Sequence, residues 1–119
     1  MSELTPYVRE LFRSFTRIHV ISFASKADVY GLAIQQRLTE YGYPVSPGML
    51  YPILHELEDR GLLESRWEKI RGKARRYYSI TEKGSRFLSY MKPFIAELSQ
   101  VVLDSAHGSE PGEGIIRPQ

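Results

Sequence analysis

The order of elements across residues 46–84 limits the possible folds of this chain more than any other feature. Ser46 can cap a helix that has Pro47 at its first position, and apolar residues then recur along one face. Two β-like runs follow, residues 62–68 and 75–80, and the turn 71–73 joins them. A helix followed by a charged hairpin predicts a winged helix-turn-helix.

Further helices are predicted on both sides of this stretch. Apolar residues at spacings of three and four predict a long helix over about 5–26, with a proline in its first turn. Asp28 is predicted to cap a second helix. A final helix is predicted over about 81–103, and Pro93 should kink or split it. The predicted fold class is mainly α with a small β-hairpin (α+β), with long first and last helices.

The length of 119 residues favours one folded domain, predicted over 1–104. Residues 105–119 are rich in Gly, Pro and Ser without periodicity, which predicts a disordered tail. The absence of cysteine excludes disulfides and is compatible with a reducing compartment. No apolar run reaches the ~20 residues of a membrane span, so no membrane association is predicted.

The charge is distributed unevenly along the chain. The net charge is only +2, but residues 60–92 contain ten Lys and Arg against three Asp and Glu. The remainder contains six basic and eleven acidic residues. This asymmetry predicts a basic patch that binds a polyanion.

The predicted third helix, about 46–60, has an unusual exposed side. Leu50, Ile53, Leu54 and Leu57 form its buried stripe, so the opposite side must carry Gly, Pro and Tyr instead of the usual Lys, Glu and Gln. An alternative is that the Gly and Pro only shape a tight junction between helices. The candidate DNA-binding residues on this helix are Ser46, Gly48, Met49, Tyr51, Pro52 and His55.

The predicted hairpin, about 66–78, is strongly basic. Residues 66–76 contain six basic residues and one acid, which on a tight hairpin favours contact with phosphates, although a solvated loop is the alternative. Trp67, the only tryptophan, is interpreted as a packing residue. The candidate DNA-binding residues of the hairpin are Arg71, Lys73, Arg75 and Arg76.

Residues 28–84 resemble the PadR-like winged-helix transcriptional regulators. The resemblance depends on Leu-Tyr-Pro at 50–52, followed in order by Arg-Tyr-Tyr at 76–78 and Thr-Glu-Lys-Gly at 81–84. It implies a homodimer, usually a repressor, that pairs through the first and last helices. Met49 departs from the usual Thr or Ser, and the single C-terminal helix is similar to the short subfamily.

Helices one and four both have wide apolar faces, and pairing about a two-fold axis would bury them and place two recognition helices ~34 Å apart. The alternative is that the two helices pack only on each other within one chain. The residues predicted to form the dimer interface are Tyr7, Leu11, Phe12, Phe15, Phe87, Met91, Phe94 and Leu98.

The predicted function is a sequence-specific, double-stranded DNA-binding transcriptional regulator of the prokaryotic cytoplasm that acts as a homodimeric repressor. The alternatives are a winged-helix protein-interaction module and a low-specificity architectural DNA-binding protein. Larger relatives imply that a small aromatic effector could bind between subunits, but plain packing of the interface is the favoured explanation of the aromatics. His19, His55 and His107 are far apart in sequence, so neither an enzyme, a metal site nor a cofactor is predicted.

Overall fold

The computed structural model describes residues 2–104 of the chain, so the predicted tail at 105–119 lies outside the described residues. The mainly helical fold with a small sheet is confirmed. After a short 3-10 turn, Ser2–Leu4, the elements are α1 (Thr5–Lys26), β1 (Val29–Tyr30), α2 (Gly31–Glu40), α3 (Pro47–Asp59), β2 (Leu63–Ile70), β3 (Lys73–Ile80) and α4 (Glu82–Leu103).

The chain divides into two compact units, and the boundary lies inside α4, between Leu88 and Ser89. The first unit contains α1 to β3 and the first turns of α4. The second unit contains the remainder of α4.

The first unit is built on a hydrophobic core that joins the three N-terminal helices to the sheet. The predicted stripe of α3 is confirmed, since all four of its apolar residues are buried. Burial of these side chains is the main favourable contribution to the fold. The core residues are Val20, Ile21, Ala24, Ile34, Leu38, Val45, Leu50, Ile53, Leu54, Leu57, Leu62, Leu63, Tyr78 and Leu88.

The sheet has three antiparallel strands in the order β1-β3-β2. Strands β2 and β3 form a hairpin in register from Leu63 opposite Ile80 to Ile70 opposite Lys73. The loop is therefore only Arg71 and Gly72, and Lys73, predicted to lie in the turn, begins β3. Both loop residues have positive φ, 52° and 81°, as a type I′ turn requires.

Two local predictions differ from the structure. Asp28 does not cap α2, whose N-cap is Tyr30. Residues 29–30 instead form β1, a two-residue strand too short to show a period in sequence. The last helix is not split at Pro93, because α4 runs continuously from Glu82 to Leu103. Proline removes only one helical hydrogen bond, and the neighbouring bonds keep the helix in one piece.

Candidate nucleic-acid interface

Helix α3 begins as predicted and exposes most of its predicted DNA-binding residues. The Ser46 hydroxyl accepts a hydrogen bond from the Met49 N–H over 3.3 Å, which caps the helix. Tyr51 is 43% exposed, and His55 also lies at the surface. The same is true of Gly48 and Pro52. Met49 differs, because it is half-buried and packs against the core.

The tip of the hairpin carries cations without acidic partners. Arg71 and Lys73 are exposed on either side of Gly72. Within residues 2–104, neither side chain forms an ion pair. Both charges are therefore available to an external anion.

The base of the hairpin is fastened to α3 by an ionic network. The Arg76 guanidinium donates to the Glu58 carboxylate over 2.9 Å and to the Ser65 hydroxyl over 3.0 Å. The Ser65 hydroxyl itself donates to Glu58 over 2.7 Å. Arg76 and Ser65 lie on different strands, so Glu58 holds both strands against the helix. Arg76, a predicted DNA-binding residue, thus has its guanidinium engaged inside the protein.

A second ion pair lies on the opposite face of the sheet. Arg66 pairs with Asp28 over 2.8 Å and also contacts Glu68. The Ser79 hydroxyl donates to Asp28 over 2.8 Å. The hydrogen bond from Ser79, followed by that from Arg66, lowers the pKa of the Asp28 carboxyl. This pair connects the segment before β1 to both strands of the hairpin.

Arg75 takes a different position from its neighbour Arg76. Its guanidinium carbon lies 4.3 Å from the ring centroid of Tyr30, within cation–π distance. The Tyr30 ring in turn meets Tyr77 edge-on, with centroids 5.5 Å apart. Arg75 is half-buried and forms no ion pair within the described part of the chain. Its charge is oriented but not neutralised.

A cleft of about 470 Å³ lies between α3, the start of α2 and the hairpin. Trp67 lines it and is 68% exposed, so its interpretation as a packing residue is wrong. Sequence reasoning did not identify Tyr30 and Trp67 as residues of the candidate site. The available signal was alternation, which puts Trp67 on the strand face that also carries Leu63 and Ser65. The lining residues are Tyr30, Gly31, Leu32, Tyr51, His55, Trp67, Lys73, Ala74, Arg75, Arg76 and Tyr78.

Comparison with known proteins identifies the family. The sequence profile described as the transcriptional regulator PadR-like family matches residues 20–90. This chain belongs to that family. The match covers α2, α3, the hairpin and the start of α4, which include the elements of the candidate interface.

Individual relatives agree with membership of the PadR-like family. Transcriptional regulator Rv3488 of Mycobacterium tuberculosis is 41% identical over 96 residues, which are 81% of this chain and 90% of that protein. The crystal structure of a PadR family transcriptional regulator from Eggerthella lenta has a TM-score of 0.72 and 29% identity, over 92% of this chain and 96% of that one. The PadR-like transcriptional regulator BC4206 of Bacillus cereus has a TM-score of 0.76 and 26% identity, over 84% and 99%.

The prediction of a transcriptional regulator that is not an enzyme is confirmed, because the PadR-like family and its relatives are transcriptional regulators. No cluster of acidic or histidine side chains within residues 2–104 could hold a metal ion. In the same range, none of the helices is long and apolar enough to cross a membrane.

The residues that were predicted to form a dimer interface fall into two groups in this PadR-like regulator. On α1, Tyr7, Leu11 and Phe15 are exposed, while Phe12 is half-buried and meets Phe15 and Tyr43 edge-on. The first group is therefore mostly a surface stripe with one residue turned inward.

The second group lies on α4 and changes character along the helix. Phe87 is half-buried against the core of the first unit. Further along, Met91 is half-buried, whereas Phe94 and Leu98 are 53% and 60% exposed. Large exposed apolar side chains continue to Leu103. This much apolar surface on one helix is typical of a protein contact.

Proposed function

We propose that this PadR-like protein is a homodimeric repressor that binds specific sites in double-stranded DNA. The observation that supports this proposal best is that the exposed side of α3, with Tyr51 and His55, is followed along the chain by a hairpin tip whose cations have no acidic partner within the described residues. Such a pairing suits a helix in the major groove and a basic wing on the DNA backbone or in the minor groove.

In this proposal α3 reads the bases. Its exposed side offers the Tyr51 hydroxyl and the His55 ring, both able to donate hydrogen bonds to base edges. The small surface at Gly48 permits a close approach of the backbone to the DNA. Met49 can supply at most a partial apolar contact, because it packs partly into the core.

The wing supplies affinity through phosphates. Each Lys or Arg that neutralises a phosphate releases a counterion, so binding becomes dependent on salt concentration. We expect the double variant Arg71→Ala and Lys73→Ala to bind duplex DNA more weakly and to lower the slope of log affinity against log salt by about one per lost contact. Fluorescence anisotropy of a labelled duplex at several salt concentrations measures this slope.

The matched control is Arg37→Ala with Arg86→Ala. It removes the same charge at two exposed positions on α2 and α4 whose side chains pair with Glu40 and Glu82. The control should keep the slope of the unmodified protein. An unchanged slope in the wing variant would remove the wing from the binding mode.

Selection from a random duplex pool tests specificity. A two-fold symmetric consensus is expected, because each copy of α3 in a dimer would read one half-site. Retention of all duplexes without a consensus would indicate an architectural protein of low specificity. If the protein neither binds duplex DNA nor is retained on heparin at low salt, a protein-interaction module would be favoured.

Dimerisation is proposed from the exposed apolar side chains of α1 and α4. The double variant Phe94→Ser and Leu98→Ser should lower the sedimentation mass towards that of a monomer, since a largely apolar interface would lose two large contacts. Ile70→Ser, which replaces an exposed apolar residue on the wing, should leave the mass unchanged. A monomer mass at every concentration of the unmodified protein would contradict the dimer.

The proposal also includes repression of transcription and a location at the nucleoid. A reporter gene placed behind the selected site should be transcribed less when the protein is expressed in a bacterial host. Increased transcription would indicate an activator. A fluorescent fusion should overlap the nucleoid in the cytoplasm, because that is where the DNA target lies.

A further inference from the structure

We infer that the cleft between α3 and the base of the wing is a second DNA-binding site, in which one sugar-phosphate segment lies with its deoxyribose against the Trp67 ring. This inference rests on the proposed function, since it requires that the protein binds duplex DNA. It adds a site beyond the side of α3 and the wing tip.

The lining of the cleft has the chemistry of a nucleic-acid site. The residues that line the cleft include the aromatics Tyr30, Tyr51 and Trp67 and the basic Lys73 and Arg75. Trp67 and Arg75 approach it from opposite faces of the hairpin. None of the residues that line the cleft is acidic. Apolar rings beside cations complement a sugar-phosphate chain, which alternates a carbon-rich ring with a negative charge. An acidic peptide would use the cations but leave the rings without partners.

Trp67 is the strongest sign of an external ligand. On its strand face, Leu63 is buried in the core and Ser65 is hydrogen-bonded to Glu58 on α3. Trp67 comes next along that face yet remains 68% exposed. Tryptophan is the side chain with the most area to gain from burial, so an exposed one inside a cleft points to a contact made only in a complex.

The cleft is held in shape before any ligand arrives. Arg75 stacks on Tyr30, and Arg76 is fixed by Glu58. Gly31 leaves room for the end of the Tyr51 ring, because a Cβ at that position would lie 2.8 Å from the ring. A preformed site binds without the entropic cost of ordering its side chains.

The occupant follows from the neighbours of the cleft. Tyr51 and His55 line the cleft and also belong to the exposed side of α3. A duplex whose bases meet Tyr51 and His55 in the major groove would bring the backbone at the edge of that groove to the adjoining cleft. The cleft therefore continues the proposed DNA surface, and the strand of the same duplex is its natural occupant.

The loss of affinity for specific and for random DNA distinguishes this site from contacts that read bases. Contacts to sugar and phosphate position the protein but carry no sequence information directly. We expect Trp67→Ala to weaken binding to the selected site and to a random duplex by the same factor, about tenfold for the loss of one aromatic contact. Trp67→Phe should recover most of the affinity. Tyr41→Ala, which removes an exposed aromatic outside the cleft, should have no effect.

The decisive measurement needs no variant, because Trp67 is the only tryptophan in the chain. Its fluorescence is measured during titration with unlabelled duplex, with acrylamide as quencher, while a mobility shift on the same samples records binding. We expect the acrylamide quenching constant to fall at least threefold in the complex, since a bound backbone covers the ring. High salt should restore it.

The outcomes distinguish the two proposals. A mobility shift with unchanged quenching would overturn the cleft site but leave DNA binding intact. The absence of any shift would overturn the proposed function and the cleft site with it. A loss of affinity in Trp67→Ala that is confined to the selected site would show base reading and would also overturn the cleft site.

Discussion

The base and the tip of the wing contain the same kinds of residue but use them in opposite ways. At the base, Arg76 is engaged by Glu58, and Arg66 by Asp28. At the tip, Arg71 and Lys73 have no acidic partner within the described residues. Cations that look equivalent in sequence are therefore divided by the structure into a group that holds the wing and a group that faces outward.

The difference arises from what lies beside each part of the hairpin. The base lies beside α3 and the segment that precedes β1, and these supply the carboxylates of Glu58 and Asp28. The tip, residues 71–73, is exposed to solvent and has no carboxylate beside it among the described residues. We therefore expect substitutions at the base to alter stability and substitutions at the tip to alter DNA binding.

The largest expected contrast is between two glycines. Gly84 is buried at the base, and a Cβ there would overlap the carbonyl oxygen of Leu62. Gly84→Ala should lower the free energy of unfolding by about 3 kcal/mol through overpacking. Gly72 at the tip has φ 81°, and no atom lies within 4 Å of a Cβ built there. Gly72→Ala should therefore lower the free energy of unfolding by only about 1 kcal/mol, through the backbone strain that alanine has at positive φ. Urea unfolding measures both, and equal losses would erase the distinction.

The next effect concerns the ion pair at the base. Glu58→Gln should lower the free energy of unfolding by about 1 to 2 kcal/mol, because it weakens hydrogen bonds to a charged, partly buried Arg76. The control is Glu82→Gln, whose exposed pair with Arg86 should contribute less than about 0.5 kcal/mol. If both variants unfold at the same urea concentration, the base network has no special role.

A smaller effect of opposite sign is expected at the tip. Arg71 is the non-glycine residue with positive φ among those described, and asparagine tolerates this conformation better. Arg71→Asn should raise the free energy of unfolding by about 0.5 kcal/mol and weaken DNA binding, since a cation is lost. Lys73→Asn should weaken binding without the gain in stability. A destabilised Arg71→Asn variant would show that its side chain supports the fold.

The smallest effect is a dependence on pH. The folded state lowers the pKa of Asp28, so this carboxylate stabilises the fold above its unfolded pKa, and the contribution disappears as pH falls through the folded value. Asp28→Asn should therefore show a flatter loss of stability between about pH 5 and pH 3 than the unmodified protein. Thermal unfolding across this range tests it. Glu40→Gln, an exposed partner of Arg37, should follow the unmodified curve.

The sequence predicted those features that depend on neighbours a few residues apart. The stripe of α3, its Ser46 cap and the hairpin follow from local periodicity and turn chemistry. The partner of Arg76 was not predictable, because Glu58 lies 18 residues away and only the packing of β3 on α3 brings them together. The exposure of Trp67 was not predictable for the same reason, since alternation along a strand predicts which face a residue is on but not whether another element covers it.

The attachment of both wing strands to Glu58 has a mechanical consequence. The distance between α3 and the wing is fixed, so neither element can move alone to fit the width of the DNA groove. We expect the DNA to make the adjustment, so that sequences which bend or narrow their grooves cheaply are preferred even at base pairs that no side chain touches.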